Sequence, residues 1–291
     1  MKKIFIGTAG WSYKDWVGSF YSRSQSENYD WLKFYSQFFN TVEVNSTYYS
    51  YLDTSIVKSW INKISDKNQF IFEIKLHGDF THKRIFTKEK INSIKENLDV
   101  LKDAGRLGNL LIQFPYSFRN TSTNCNYISE LSEIFEGYSK VVEIRHNSWN
   151  NEEILNLFSE NNLAFCSVDQ PQIGDSLNFD ITVINQKAYL RLHGRNTEAW
   201  FRSINNFNKK QDYAERSSRY DYLYSHGELN EIEMTINERF CELDEIHIIF
   251  NNHPKGKAPL NAVELSKMLG INTPEIPVRT KPASQLSFKL N

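Results

Sequence analysis

Along this chain, short apolar runs alternate with longer segments whose apolar residues recur three and four positions apart. Ile4-Phe5-Ile6-Gly7 reads as a first strand and Thr41-Val42-Glu43-Val44-Asn45 as a second. Phe70 to Leu76 gives a third, and Leu110 to Phe114 a fourth that Pro115 stops. Val141 to Arg145, Leu163 to Val168, Ala188 to Leu192 and Glu245 to Phe250 complete eight. Helical spacing appears between them, over residues 28–39, 53–64, 126–136, 228–243 and 259–269, and in segments that Thr87 and Asn150 can cap. This alternation predicts an α/β fold of the TIM-barrel type, with eight mostly parallel strands and surrounding helices. A doubly wound open sheet is the alternative. One link departs from the pattern. Between Asp169 and Lys187 no amphipathic helix is visible, so the crossover helix after strand six is expected to be missing, and Asp180-Ile181-Thr182-Val183-Ile184 reads as an extra strand. Residues 195–227 form a long insertion rich in Arg, Asn and Tyr. No linker or repeat divides the chain, so residues 1–270 are expected to form one barrel domain. Residues 271–291, with Pro274, Pro277 and Pro282, are expected to form an extended tail.

The strands carry an unusual second face. Strand two sets Glu43 and Asn45 against Val42 and Val44, and strand three sets Glu73, Lys75 and His77 against Phe72, Ile74 and Leu76. Gln113 follows on strand four, Glu143 and Arg145 on strand five, Asp169 at the end of strand six, Arg191 and His193 on strand seven, and Asn251 and His253 after strand eight. In a barrel the outer face meets helices and must be apolar. These polar residues therefore point into the lumen and crowd the carboxyl ends of the strands, where barrels build their sites. A simpler reading is that the charges pair among themselves, Glu43 with Lys75 and Glu143 with Arg191, and only fix the register. Desolvating such pairs is costly, which favours a ligand.

Composition narrows the picture. The 291 residues carry a formal net charge of −1, so no bulk attraction to nucleic acid or membrane is implied. Three dispersed cysteines (Cys125, Cys166, Cys241) form no Cys-x-x-Cys pair. This argues against a disulfide framework and for a reducing, cytoplasmic location. No stretch reaches membrane-spanning length.

The residues Ile6-Gly7-Thr8-Ala9-Gly10-Trp11-Ser12-Tyr13, Phe39 to Tyr48, Thr81-His82, Gln113-Phe114-Pro115, Glu143 to Trp149, Arg191-Leu192-His193-Gly194-Arg195 and Phe250 to His253 occur in an order that resembles the YecE-like family, domain of unknown function seventy-two. The resemblance spans residues 4–270. It implies an eight-stranded barrel-type fold and no established activity. Tyr116 stands where that family usually has a second proline, a departure that concerns a loop.

Three readings of the chemistry follow. The first is an enzyme acting on an anionic, phosphate-containing substrate, in the manner of a nucleic-acid phosphodiesterase. Arg145, Arg191 and Arg195 would clamp the anion with His82, while Gln113, Asn45 and Asn251 bind polar groups. Glu43, Lys75, Glu143, Asp169 and His193 would be the catalytic groups, with His253 a further acid, base or binding group. Trp11, Tyr13, Tyr48 and Trp149 would stack on a base or sugar, with rim packing as the plainer role. Cofactors are not indicated by any motif. Glu143, Asp169 and His193 would suit a divalent metal, but the neighbouring arginines disfavour a cation. The second reading is a carbohydrate hydrolase or isomerase using Glu43 and Glu143 as acid and base. The third is a non-enzymatic nucleic-acid or ligand-binding protein. In that reading Gln285, Leu286, Phe288 and Leu290 form a tail peptide similar to those that grip the sliding clamp, although a tail docked on its own domain explains them as well.

Overall fold

A computed structural model of the chain describes residues 2–23, 29–205 and 213–277. The eight strands are β1 (Lys3–Ala9), β2 (Thr41–Val44), β3 (Ile71–Lys75), β4 (Leu107–Gln113), β5 (Lys140–Glu143), β6 (Leu163–Asp169), β7 (Lys187–Leu192) and β8 (Glu245–Phe250). They close into a barrel in sequence order, every pairing is parallel, and β8 returns to β1. The helices between them are α1 (Trp31–Tyr35), α2 (Thr54–Lys63), α3 (Lys88–Asp103), α4 (Ser122–Ile134), α5 (Glu152–Glu160), α6 (Thr197–Asn205), α7 (Tyr213–Ser217), α8 (His226–Arg239) and α9 (Lys257–Met268).

Strand parity divides the apolar residues into two sets. Val42, Phe72, Ile74, Leu110, Ile112, Val142, Ile144, Leu190, Leu192, Ile246 and Ile248 face outward. They share one core with helical residues such as Leu98, Leu101, Ile128, Leu131, Leu229 and Ile232. Each such side chain contributes roughly 1.5–3 kcal/mol by leaving water, so this shell dominates stability. The inward set is smaller and separate: Ala9, Leu111, Val141, Ala164, Cys166, Val168, Tyr189 and Ile249.

The predicted elements shift where local chemistry sets their ends. The Asp30 side chain accepts from the N–H groups of Leu32 and Lys33, so α1 starts there instead of at residue 28 and stays short. Thr121 caps α4 earlier than the apolar spacing suggested. Asn151, not Asn150, caps α5. Thr87 does hold the position before α3, but its side chain makes no capping bond.

No helix lies between β6 and β7, as expected. Asp180–Ile184, however, is not an extra strand: its pairing is a lone bridge from Ile184 to Lys187. Ile181 and Ile184 are buried there, and the Thr182 N–H donates to Ser167 Oγ at 3.0 Å. Two isoleucines thus cover the outer face of β6 where a helix would otherwise lie. The insertion after β7 contains α6, α7 and a 3-10 turn at Ser218–Tyr220. Lys209-Lys210 and the tail peptide Gln285 to Leu290 lie outside the described residues. Among the described residues, no helix is long and apolar enough to cross a membrane.

Candidate functional site

Inside the barrel, the polar residues form a floor and a mouth. At the floor, Glu73 of β3 is fully buried and accepts from Thr41 Oγ1, from the Asn109 N–H at 2.6 Å and from Asn109 Nδ2 at 3.0 Å. His247 of β8 places Nδ1 2.7 Å from Glu73 and Nε2 2.9 Å from Glu245. Burial alone would lower the His247 pKa, but Glu73 and Glu245 outweigh it and raise it to about 9. Phe5 and Tyr189 stack on its ring. This floor is closed and self-satisfied.

Above it lies a second network. Arg191 of β7 is 1% exposed. It donates through Nη2 to Glu43 at 2.6 Å and through Nη1 to Glu143. Tyr189 Oη also donates to Glu43. Arg145, two positions beyond Glu143, returns to the same carboxylate through Nε at 2.7 Å and Nη2 at 2.6 Å. Burial would push the Glu143 carboxyl up, but Arg191 and then Arg145 hold it well below the usual carboxylate range. Two carboxylates thus face two guanidiniums and their charges cancel. His193 leans on this group, with Nε2 accepting from Arg145 Nη2 at 3.2 Å and Nδ1 lying 2.9 Å from the Asn251 amide. Burial depresses its pKa to about 3, so the ring is uncharged at neutral pH.

The mouth is where pairing stops. The ammonium of Lys75, at the end of β3, makes no hydrogen bond or ion pair among the described residues; it lies 4.7 Å from the centre of the Tyr48 ring. Burial, then Arg191, lowers its pKa to about 7. Arg145 Nη1 is likewise unbonded, and the guanidinium lies 5.8 Å from the Trp200 ring. His82 stands edge-on to Tyr48 in a single π-helical turn, Asp79–Lys83, an irregularity often found at functional sites. Its pKa is lowered to about 4 by burial and by Lys75. Across the opening, Tyr13 stacks on His253 at 4.9 Å, and Tyr220 bridges His253 and His193. Gln113 shares the lumen parity of Glu143, its register partner, while Asn45, just after β2, has a buried, unpartnered Oδ1.

Four sequence candidates fall elsewhere. Asp169 pairs in register with outward-facing Leu192, whereas its neighbour Val168 pairs with lumen-facing Arg191. Asp169 therefore points out of the lumen, toward Arg195 and toward the Tyr224 hydroxyl, which donates at 2.5 Å. Arg195 leaves the clamp for the same reason, held by Asp169, Glu228 and Glu231. Trp149 is 1% exposed, stacked on Phe118 and donating Nε1–H to its carbonyl, so its role is packing. Trp11 packs edge-on against Trp60, behind the strands. With Asp169 turned away, the metal triad Glu143–Asp169–His193 does not converge. Among the described residues, no group of three His, Cys, Asp or Glu side chains is placed to hold a metal ion.

Comparison with known proteins agrees with this barrel. A family model described as "Protein of unknown function DUF72" matches residues 5–286. The chain belongs to the DUF72 family. Relatives of this DUF72 chain include the UPF0759 protein YunF of Bacillus subtilis, 26% identical over 280 residues, which cover 92% of this chain and 95% of YunF. A DUF72 crystal structure from Thermotoga maritima (TM1631) superposes with a TM-score of 0.78 at 30% identity, covering 92% of this chain and 99% of that one. One from Enterococcus faecalis (EF0366) gives 0.78 at 23% identity, covering 95% and 99%.

Sequence reasoning missed several members of this DUF72 site. Trp200 and Tyr220 come from the insertion after β7, where no strand parity points anywhere; the aromatic density of that insertion was the available signal. Asn109 and Glu245 lie at the floor, away from the strand ends where candidates were sought. Tyr189 looked like an ordinary β-propensity residue.

Proposed function

We propose that this DUF72 protein is an enzyme acting on a small phosphate-bearing anion in the mouth of its barrel. One observation carries the reading. In a lumen whose carboxylates are bonded to other side chains, the Lys75 ammonium and Arg145 Nη1 stand at the mouth with no hydrogen-bond or ion-pair partner among the described residues, while the other unbonded guanidinium nitrogen, Arg191 Nε, is fully enclosed. An unpartnered, largely buried cation costs stability unless something else uses it. Arg145 Nη1 suits an anionic oxygen, and Lys75 can add charge or, unprotonated, accept a proton. His82 and His193, both uncharged near neutral pH, suit proton transfer beside a bound anion. Tyr13, Tyr48, Trp200 and Tyr220 around the rim suit the flat face of a base or sugar. The reading moves the anion from the three-arginine clamp, whose members are largely taken, to Lys75 and Arg145. The carbohydrate alternative loses its acid–base pair, because Glu43 and Glu143 are both bonded to Arg191.

Sulfate is a suitable probe because it does not titrate near neutrality. It is expected to bind with an affinity that falls as pH rises through about 7, where the Lys75 ammonium loses its proton. Lys75→Met should weaken binding about tenfold or more. A panel of aryl phosphates and aryl glycosides then separates the substrate classes. Absence of sulfate binding by titration calorimetry, together with turnover of glycosides alone, would overturn the proposal.

A further inference from the structure

We propose that Lys75 is a nucleophile, and that its free amine condenses with the carbonyl carbon of an aldehyde or ketone that also carries an anionic group. This rests on the reading that the barrel mouth receives an anion, and it specifies what else that ligand must contain.

The geometry argues against a purely electrostatic role. A lysine placed for charge would be expected to take one of the two carboxylates of the upper network. Arg191 instead occupies both Glu43 and Glu143, and Arg145 closes the rest of Glu143. The amine is thus left with no acceptor for its N–H groups, and its lone pair is free whenever it is unprotonated. Tyr48 supports the chain end from one side at 4.7 Å. Burial, then Arg191 and more weakly Arg145, oppose protonation and outweigh Glu43 and Glu143, which favour it; the resulting pKa of about 7 leaves a large uncharged fraction at neutral pH. His82 uses Nδ1 on Thr81 Oγ1 at 2.9 Å and leaves Nε2 unbonded among the described residues. It stands on the Tyr48 ring that also carries Lys75, so a proton carrier sits beside the amine.

The step balances without an oxidant or reductant. The amine nitrogen bonds to the carbonyl carbon, the carbonyl oxygen takes up a proton and the nitrogen gives one up, forming a carbinolamine. Loss of its hydroxyl as water leaves the imine, and His82 Nε2 is placed to carry the proton in both directions. Arg145 Nη1 holds the anionic group of the same ligand.

Glyoxylate, a small aldehyde bearing a carboxylate, is the probe. The full-length protein is treated at pH 7 with limiting glyoxylate and sodium cyanoborohydride, which supplies hydride to trap any imine as a carboxymethyl amine. Sites are then ranked by peptide mass mapping over time. Lys75 is expected to be labelled at least about tenfold faster than any other lysine, because exposed amines remain protonated at this pH. Excess sulfate should slow that labelling. Lys75→Arg should abolish it and leave the circular dichroism spectrum unchanged. Labelling of Lys75 no faster than surface lysines in the wild-type protein, with sulfate still bound, would overturn the nucleophile and leave the anion site standing. Selective labelling with no sulfate binding would support the nucleophile and remove the anion site.

Discussion

Lys75 and Glu143 show how differently two charged residues can sit in one lumen. Glu143 is bonded on both oxygens, so Glu143→Gln leaves Arg191 and Arg145 facing a neutral amide, and the loss is expected to be about 3–5 kcal/mol in urea unfolding. Lys75→Met removes a buried cation that has no counter-ion, and the same measurement is expected to show no loss, or a gain. A side chain that destabilises its own fold is a reason to assign it to function rather than to scaffolding. At this scale the sequence was partly legible. Glu143 with Arg191 was foreseeable from parity alone. Glu43 with Lys75 was not realised, because the Arg191 guanidinium spans both carboxylates, and strand parity carries no information about reach. Asp169 was misplaced because β6 is apolar or small at nearly every position, so its two faces looked alike.

The element that completes the mouth is the chain from the end of β7 to α8. Gly194 turns it with φ +89°, and an added Cβ would lie 2.5 Å from Tyr222 Cβ. Its N–H donates to Tyr224 Oη at 2.8 Å, the hydroxyl that also donates to Asp169. Asp169, Arg195 and Tyr224 therefore fix the base of the segment that brings Trp200 over Arg145 and Tyr220 over His193. Gly194→Ala is expected to cost more than about 1 kcal/mol by chemical denaturation, because both conformation and space are denied. Sulfate binding should weaken in the variant as the aromatic cover shifts. Elements of this kind are the least readable from sequence. Strands announce themselves by period two and helices by period 3.6, whereas the described part of the β7–α8 segment is made of short helices and turns.

For the whole molecule, the floor sets a pH dependence. The His247 pKa is raised above its ordinary 6.5 to about 9, so the folded state holds a proton that the unfolded chain releases between those values. The stabilisation is complete below about 6.5 and is lost as pH rises through about 9. Glu245, lowered to about 2 chiefly by its bond to His247, contributes above its ordinary 4.5 and is lost as pH falls through about 2. The stability difference between wild type and His247→Gln should therefore be largest between about pH 4.5 and 6.5, on the order of 3 kcal/mol, and shrink toward pH 9. Thermal unfolding across that range would show it, and a difference that grew with pH would contradict the assigned charge. The barrel itself was legible because eight apolar runs alternated with helical stretches. Even the missing crossover helix after β6 was readable as a break in rhythm. The floor was harder to read, since Asn109 and Glu245 lie near strand beginnings. That floor also gives the lumen a dead end. Traffic to Lys75 must enter and leave by one door, so a chain molecule cannot thread through. Only a small compound, a free end or a single unit swung out of a polymer could reach the amine, and one ligand would have to leave before the next could enter.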